Sequence, residues 1–415
     1  MDKFYAQTLG CKVNQAETDM IAGELEQAGL RQVGLDQYPD WCILNTCTVT
    51  SQADKKVRQA IRKIKKTCSC SKLVVTGCFT ELNRDFLEKE GIPFIIGNRD
   101  KMAISSIIKK GKPEVSLTGG AHTRPLIKVQ DGCEQNCSYC IVPLVRGKYR
   151  SVDAEKVMSM VKQASAMGHG EIVLTGINLG KYGVDLGKNY DLANLIKHIL
   201  KKTAVERIRL SSIEIGEVTD DLLGLMAAHN KRICSHLHIP LQSGSNKVLK
   251  SMGRPYSVGY FMRSIGKIKQ TLPGVSITTD IMAGFPGESE KDFIQTLEVI
   301  REISFSKLHI FKYSVRGKTR AAGMGNHVPE VIKKARSKQL AQLAGQLRAS
   351  YLNNNTGKVL NTVLEETEPG LCSGTSDNYI KVFFKPARGL KRGSIYNIFT
   401  ENIYKNGLWG KIRNN

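Results

Sequence analysis

The sequence predicts an α/β protein in three parts: an N-terminal open parallel α/β domain, a central partial (βα)6 barrel and a C-terminal small β-barrel. Three observations carry this reading. Short apolar runs alternate with amphipathic helical stretches as far as about residue 110. Six strand candidates then recur at spacings of ~30 to 45 residues with helical stretches between them. From Gly357 onward the pattern changes to short alternating strands separated by Gly-rich turns. The expected divisions are 1–110, a linker 111–123, a barrel 124–352 and a terminal barrel 353–415.

The bulk properties suit such a chain. Its 415 residues suffice for roughly two to four domains, and 41% apolar with 24% charged residues is ordinary for a globular protein. No apolar run is long enough to span a bilayer, and the start MDKFYAQTLGCK has neither a basic nor an apolar leader region. A cytoplasmic protein with no membrane partner is expected. Eleven cysteines without a secretory signal point to reduced thiols and metal ligation rather than a disulfide framework. A formal charge of +23 implies a polyanionic partner, nucleic acid first.

In the first part, strands are expected at Phe4–Thr8, Trp41–Leu44, Leu73–Thr76 and Phe94–Ile96. Helices follow at Asn14–Gln27, Ser51–Lys66, Thr80–Glu90 and Lys101–Lys109, the first opening on an Asn14-x-x-Glu17 capping-box pattern. Cys11, Cys47 and Cys78 each come just after a strand's C-terminal end, so a parallel sheet brings all three to one edge, the edge where open α/β sheets bind ligands. Cys42 lies inside its strand, and Cys68 and Cys70 fall at the opposite edge. The plainer alternative is three core cysteines in strand-end turns. Lys55 to Lys72 holds eight Lys or Arg and no acid, with Val57, Ile61 and Ile64 on the inward face; a solvated helix face and an RNA contact both fit.

In the second part, strands are expected at Leu126–Gln130, Glu171–Thr175, Arg207–Leu210, His236–Ile239, Ser276–Ile281 and Lys307–Phe311. Each is followed by a polar or Gly-rich loop, and the C-terminal rim of such strands is where barrel enzymes place their sites. Six units leave the barrel open on one side. The rim supplies Thr175, Gly176, Ser211, Ser212, Glu214, Gln242 and Ser243 as candidates to hold a cofactor or substrate, while His236 and His238 read as structural and Cys234 and Cys372 as inert buried thiols. Pro329 to Tyr351 forms one amphipathic helix, with Ile332, Ala335, Leu340, Leu343 and Leu347 as its packing face.

The first rim loop, within Asp131–Arg146 (DGCEQNCSYCIVPLVR), carries Cys133, Cys137 and Cys140, separated by three and then two residues. That is not the Cys-x2-Cys knuckle of a structural zinc site, and no second Cys or His pair lies nearby. A cubane cluster usually takes four thiolates, so three leave one iron open for an exogenous ligand. A zinc loop, a disulfide with a spare thiol and buried apolar cysteines are the plainer alternatives.

In the third part, the stretches KVLNTVLEE, NYIKVFF, SIYNIFT and NGLWGKI read as strands of a barrel of ~60 residues, OB-like in size. Tyr379, Phe383, Phe384, Tyr396, Tyr404 and Trp409 alternate with Lys358, Lys381, Lys385, Arg388, Lys391 and Arg392, a mixture that suits single-stranded RNA although some of these aromatics must be core.

Cys-x3-Cys-x2-Cys with Tyr139 before the last cysteine resembles the radical S-adenosylmethionine (SAM) superfamily. The resemblance implies a 4Fe-4S cluster on Cys133, Cys137 and Cys140, chelation of its open iron by the SAM amine and carboxylate, and reductive cleavage to a 5′-deoxyadenosyl radical. The stretches LGCKVNQAET, NTCTVT, TGC, KVQDGCEQNCSYCIVPLVRG, HLHIPLQSGS, MGRPYS and TTDIMAGFPGES extend the likeness, so that the whole chain resembles the methylthiotransferase family and its last part a TRAM RNA-binding domain. That resemblance implies a second, auxiliary 4Fe-4S cluster on Cys11, Cys47 and Cys78 whose open iron carries the sulfur to be transferred. One SAM would supply the methyl group and another the radical.

GCKVNQAET, TGINLG and RLSSIE are most similar to the branch acting on threonylcarbamoyladenosine, implying a methylthio group at carbon 2 of that adenosine, 3′ of the tRNA anticodon. The implied partners are the anticodon stem-loop and an electron donor such as flavodoxin or ferredoxin. Isopentenyladenosine in tRNA and a ribosomal-protein aspartate are alternative family substrates. A non-catalytic iron–sulfur RNA-binding protein is the alternative of another class.

Overall fold

The computed structural model describes residues 2–69, 71–109, 122–187 and 190–413. A parallel sheet comes first: Lys3–Thr8 (β1), Arg31–Gln32 (β2), Trp41–Thr46 (β3), Lys72–Gly77 (β4) and Phe94–Ile96 (β5), in the order β2-β1-β3-β4-β5. The central strand is buried throughout because helices cover both faces of the sheet. Helix Lys12–Gln27 (α1) lays Ile21 and Leu25 against Phe4, Ile43 and Val74. Helix Ser51–Thr67 (α2) lays Val57, Ile61 and Ile64 against Cys42, Leu44 and Val75, with Thr50 as its N-cap accepting the Ala53 N–H at 3.1 Å.

Local expectations fail here in three places. Helix α1 begins at Lys12 with Cys11 as N-cap, so Asn14 and Glu17 are not a capping box; both are fully buried and bonded to other segments. The segment after Gly77 is a turn, in which Thr80 donates its hydroxyl to the Gly77 carbonyl (2.7 Å), and helix forms only over Arg84–Lys89. Lys101–Ala103 is a tighter 3-10 turn leading into Ile104–Ile108. Cys70 and residues 111–121 of the expected linker lie outside the described residues.

The central part is a single curved wall. Leu126–Lys128 (β6) leads into a two-stranded ribbon, Gln130–Asp131 (β7) with Arg150–Ser151 (β8), that closes the base of the cysteine loop. Strands Glu171–Thr175 (β9) and Arg207–Leu210 (β10) join β6 in one parallel sheet, and His236–His238 (β11), Ser276–Ala283 (β12) and Lys307–Lys312 (β13) form another. Parallel bridges Ile208 to Ile233 and Ser212 to His238 connect the two, giving the order β6-β9-β10-β11-β12-β13. The wall does not close on itself, and β6 and β13 are its edges among the described residues. Helix Glu330–Asn353 buries Leu340 and Leu343 as expected, but Ile332 and Ala335 face solvent. Arg336 is buried in their place because it pairs with Glu288 (2.7 Å) and Glu290 (3.1 Å).

The last part is a closed barrel of Val359–Glu368 (β14), Leu371–Ser376 (β15), Lys381–Phe384 (β16), Ile395–Tyr404 (β17) and Gly407–Ile412 (β18), in the order β14-β15-β16-β18-β17. Strand β15, LCSGTS, escapes sequence reading because it lacks an aromatic or β-branched run. Its Gly374 lies so close to β14 that a Cβ there would stand 2.0 Å from the Val363 carbonyl oxygen. Phe384 belongs to the barrel core with Leu364, Val382 and Leu408, whereas Phe383, Tyr404 and Trp409 form an edge-to-face chain beside Lys405.

This barrel is fastened to the wall by arginine. Glu171 is fully buried on β9 and takes Arg207 (2.6 Å) and Arg209 (2.7 Å) from β10. Their remaining N–H groups donate to the carbonyls of Asn361 (2.6 Å), Thr375 (3.2 Å), Ser376 (2.8 Å) and Asp377 (3.1 Å). Burial alone would push the Glu171 carboxyl up, but Arg209 and Arg207 outweigh it and hold it well below the usual carboxylate range. Its stabilising contribution is therefore complete above the ordinary glutamate pKa and is lost only as pH falls through the depressed folded value. Glu171→Gln leaves two buried guanidiniums without a counter-charge and should cost about 3–5 kcal/mol at pH 7. A lowered urea midpoint of the variant at pH 7 checks this.

Candidate active site

The C-terminal edge of the first sheet faces the C-terminal rim of the wall, and polar contacts tie it to both wall edges. At the β6 edge, Lys128 reaches Glu17 of α1 at 2.6 Å. Beyond β13, Arg316 donates to Asp54 and Thr48, both at 2.8 Å, and Ser314 meets Ser51 at 3.1 Å. The sheet thus spans the gap left by the open barrel. Between them lies a cavity of about 370 Å³, large enough for a nucleoside-sized group.

Cys11, Cys47 and Cys78 reach this cavity together, as their strand-end positions imply. Gly77 makes the approach possible: its φ is +100°, a Cβ would stand 2.3 Å from the Thr46 carbonyl oxygen, and the next N–H, of Cys78, donates to that oxygen at 2.9 Å. Burial pushes the Cys47 thiol up to about 11, with Cys78 and Cys11 adding to the shift, and burial raises Cys11 as well. Cys42 and Cys68 are buried in the core between the sheet and α2, and Cys68 donates to the Leu35 carbonyl at 3.3 Å.

The second triad sits on the loop closed by β7 and β8. Cys133 N–H donates to the Gly147 carbonyl (2.9 Å) and Cys140 N–H to the Cys137 carbonyl (3.1 Å). The turn MGRPYS grips this loop from outside: Ser138 donates from its N–H to the Met252 carbonyl and from its hydroxyl to the Ser251 carbonyl, both at 2.8 Å. Arg254 donates to the Cys137 sulfur at 3.3 Å and pairs with Glu214. Burial holds Cys133 at about 11 and Cys140 at about 12, and in each case Cys137 pushes further in the same direction.

Each triad offers three thiols, the donor type that iron–sulfur clusters take. Among the described residues no three His, Cys, Asp or Glu side chains converge on one ion-sized point. Within each triad the thiols disfavour one another's charge. Buried thiols with raised pKa values become thiolates only when a metal centre replaces the proton.

One ionic network joins the two triads. Glu17, fully buried, binds Lys101 (2.6 Å), Lys128 (2.6 Å) and Arg146 (3.0 Å), and Arg146 also binds Asp131 (2.8 Å) at the start of the cysteine loop. Arg146 ends the short helix after Cys140, and its other nitrogen donates to Asn14 Oδ1 at 2.7 Å. The same oxygen accepts the Cys11 thiol at 3.2 Å, while Asn14 Nδ2 donates to Asn45 Oδ1 and the Thr46 carbonyl, both at 2.9 Å. Burial pushes Glu17 and Asp131 up, but Lys128 and Arg146 outweigh it, holding Asp131 at about 2 and Glu17 well below its ordinary value. No pattern in sequence spacing reveals this network, since its charges come from four separate segments.

The rim residues divide. Thr175, Gly176, Ser211 and Ser212 line the cavity. Glu214 faces the other triad through Arg254, and Tyr139 packs edge-on to Phe285 below that loop. Gln242 and Ser243 are buried away from the cavity: Gln242 holds a left-handed φ of 67° and bridges to Ile281, and Ser243 lies against Thr296 and the Ser245 N–H. His236 and His238, read as structural, bond to Thr278 Oγ1 at 3.1 and 2.9 Å and in addition line the cavity. His238 pairs with Asp280 at 3.2 Å, and His236 stacks on Tyr379 of the terminal barrel with ring centroids 4.3 Å apart. Sequence reasoning also missed Lys12 and Tyr379 as lining residues; inward alternation along β11 could have found only the histidines.

Comparison with known proteins agrees with this layout. Residues 127–300 match the radical SAM superfamily, and residues 3–97 match a family described as uncharacterized protein family UPF0004. A threonylcarbamoyladenosine tRNA methylthiotransferase MtaB from Bacillus subtilis is 37% identical, covering 91% of this chain and 89% of its own length. The protein of that name from Thermotoga maritima is also 37% identical, covering 97% and 95%. A tRNA-2-methylthio-N(6)-dimethylallyladenosine synthase from Natranaerobius thermophilus is 32% identical, covering 98% of each. The radical S-adenosylmethionine methyltransferase TsrM from Kitasatospora setae, solved with cobalamin and a 4Fe-4S cluster, shares the fold at a TM-score of 0.57 and 15% identity, over 95% of this chain and 84% of its own. Matched over nearly its full length, the chain belongs to the radical SAM methylthiotransferase family, sulfur-transferring enzymes that work with S-adenosylmethionine and 4Fe-4S clusters.

Proposed function

We propose that this enzyme adds a methylthio group to carbon 2 of N6-threonylcarbamoyladenosine, 3′ of the anticodon in tRNA, using one SAM as methyl donor and another as radical source. The observation that carries the reading is the cavity onto which Cys11, Cys47 and Cys78 open, joined to the Cys133–Cys140 loop through Arg146. Relatives at 37% identity named for threonylcarbamoyladenosine support the choice of nucleoside over the dimethylallyl derivative, for which relatives at 32% are named.

In this reading Cys133, Cys137 and Cys140 hold the cluster that binds SAM, and Cys11, Cys47 and Cys78 hold the auxiliary one. When bound, these groups supply the sulfur and the radical chemistry needed at an unactivated aromatic carbon. The chain's own residues orient and enclose. Arg254 steadies Cys137, Asn14 and Arg146 brace Cys11, and Thr175, Gly176, Ser211 and Ser212 form the wall for substrate or SAM. Residues 353–415 act as a TRAM-like RNA-binding unit presenting Tyr404, Trp409 and Lys405. A net charge of +23 suits phosphate contacts, to which exposed Lys55, Lys56, Arg62, Lys63 and Lys66 of α2 would add. A flavodoxin or ferredoxin would deliver the electron, in the cytoplasm; no helix among the described residues is long and apolar enough to cross a membrane.

Mass spectrometry of tRNA nucleosides from cells lacking the gene should show loss of 2-methylthio-N6-threonylcarbamoyladenosine, restored on complementation. Loss of the dimethylallyl derivative would reassign the substrate, and unchanged tRNA with an unmodified ribosomal-protein aspartate would move it to protein. After anaerobic reconstitution, wild type should carry about eight irons per chain. Cys47→Ala and Gly77→Ala should each fall to about four, keep SAM cleavage under dithionite and lose thiolation. Cys68→Ala should change none of the three.

A further inference from the structure

Lys12 stands where two cavities meet. It lines the cavity onto which the first triad opens, and also a neighbouring one of about 350 Å³ walled by Arg124, Thr123 and Glu365. Each acid on either wall already has a basic partner. Asp280 is held by His238 at 3.2 Å, Glu365 by Arg124 at 2.7 Å and Glu366 by Lys381 at 3.0 Å. Among the described residues the Lys12 ammonium has no ion pair or hydrogen bond, and the residue lines both cavities. No acid lining either cavity is directly paired with that ammonium among the described residues.

A second observation points to a polar ligand in the same place. Ser211 and His236 are 5% and 4% exposed, and both line the first cavity. Yet Ser211 Oγ and His236 Nδ1 have no hydrogen-bond partner, although His236 Nε2 is engaged with Thr278 Oγ1 at 3.1 Å. Buried polar atoms of this kind are ordinarily satisfied, and a purely apolar occupant would leave both unpaired.

We propose that Lys12 reads the carboxylate of the substrate's N6 substituent and so selects an anionic threonylcarbamoyl group over a neutral isoprenoid one. Ser211 and His236 meet the polar carbamoyl atoms. The inference rests on the nucleoside assigned above and adds the residue that enforces it. An isoprenoid chain would leave the ammonium without a partner and satisfy neither orphaned atom, which makes the discrimination one of penalty as well as attraction.

The test measures binding of the reconstituted enzyme to anticodon stem-loop RNAs that differ only at N6: threonylcarbamoyl, its carboxylate methyl ester, and dimethylallyl. Wild type should bind the free acid about 10- to 100-fold more tightly than the ester. Lys12→Met should erase that preference with ester affinity unchanged, and Lys12→Arg should keep most of it. Iron content and thermal unfolding of each variant guard against damage beside Cys11. Equal weakening on all three RNAs would make Lys12 a phosphate contact, and an undiminished preference in Lys12→Met would remove it from recognition; either result overturns the inference. Wild type preferring the dimethylallyl RNA would overturn the nucleoside assignment itself, and the role of Lys12 with it.

Discussion

A carboxylate sealed from water among three cations is the constraint on which this architecture depends. Glu17 lies on the first helix, Lys101 in the 3-10 turn before Ile104–Ile108, Lys128 on the first wall strand and Arg146 at the end of the cysteine-loop helix. A charge buried this deeply is tolerable only with its partners in place, so the segments must dock in one relative position. That position sets the first sheet's ligand edge over the rim of the wall. It also makes Arg146 common to both thiol triads, since it salt-bridges beside Cys133 and donates to the amide that accepts Cys11. Glu171 does the same on a second front, where two arginines hold the terminal barrel by its carbonyls.

Domain docking and site formation are thereby one event. An open six-stranded wall cannot exclude water from its own rim, and a lone parallel sheet has only an exposed edge. Stacked, they enclose a cavity whose lining comes from all three parts of the chain, down to Tyr379 of the terminal barrel against His236. Exclusion of water suits chemistry that generates a reactive species beside its target.

Much of this was legible in the chain. Alternating strand and helix patterns place the three cysteines at strand ends, and parallel topology then brings them to one edge without further information. Cysteine spacing in the central loop leads to the expectation of a metal centre one ligand short. What sequence could not reveal is whatever depends on tertiary partners. Asn14 and Glu17 mimic a capping box because the same polar residues that cap helices also form buried networks. That His236 and His238 line a cavity depends on which face their strand turns towards it. Strand Leu371–Ser376 lacks β propensity because close strand contact at Gly374 leaves no room for larger side chains. Ile332 and Ala335 obey helical periodicity yet lie beyond the wall they were expected to cover, and the charge pair of Arg336 with Glu288 anchors that turn.

The claim that the Glu17 network holds two cluster sites in one productive arrangement is tested most directly in Glu17→Gln. The measurement is the ratio of methylthiolated nucleoside to 5′-deoxyadenosine formed by the reconstituted enzyme, with iron content determined in parallel. Removing the charge while keeping the shape should leave both triads loaded and SAM cleavage running, with the ratio falling by about tenfold or more as the radical is spent without transfer. A variant that retains full iron and the wild-type ratio would contradict the account.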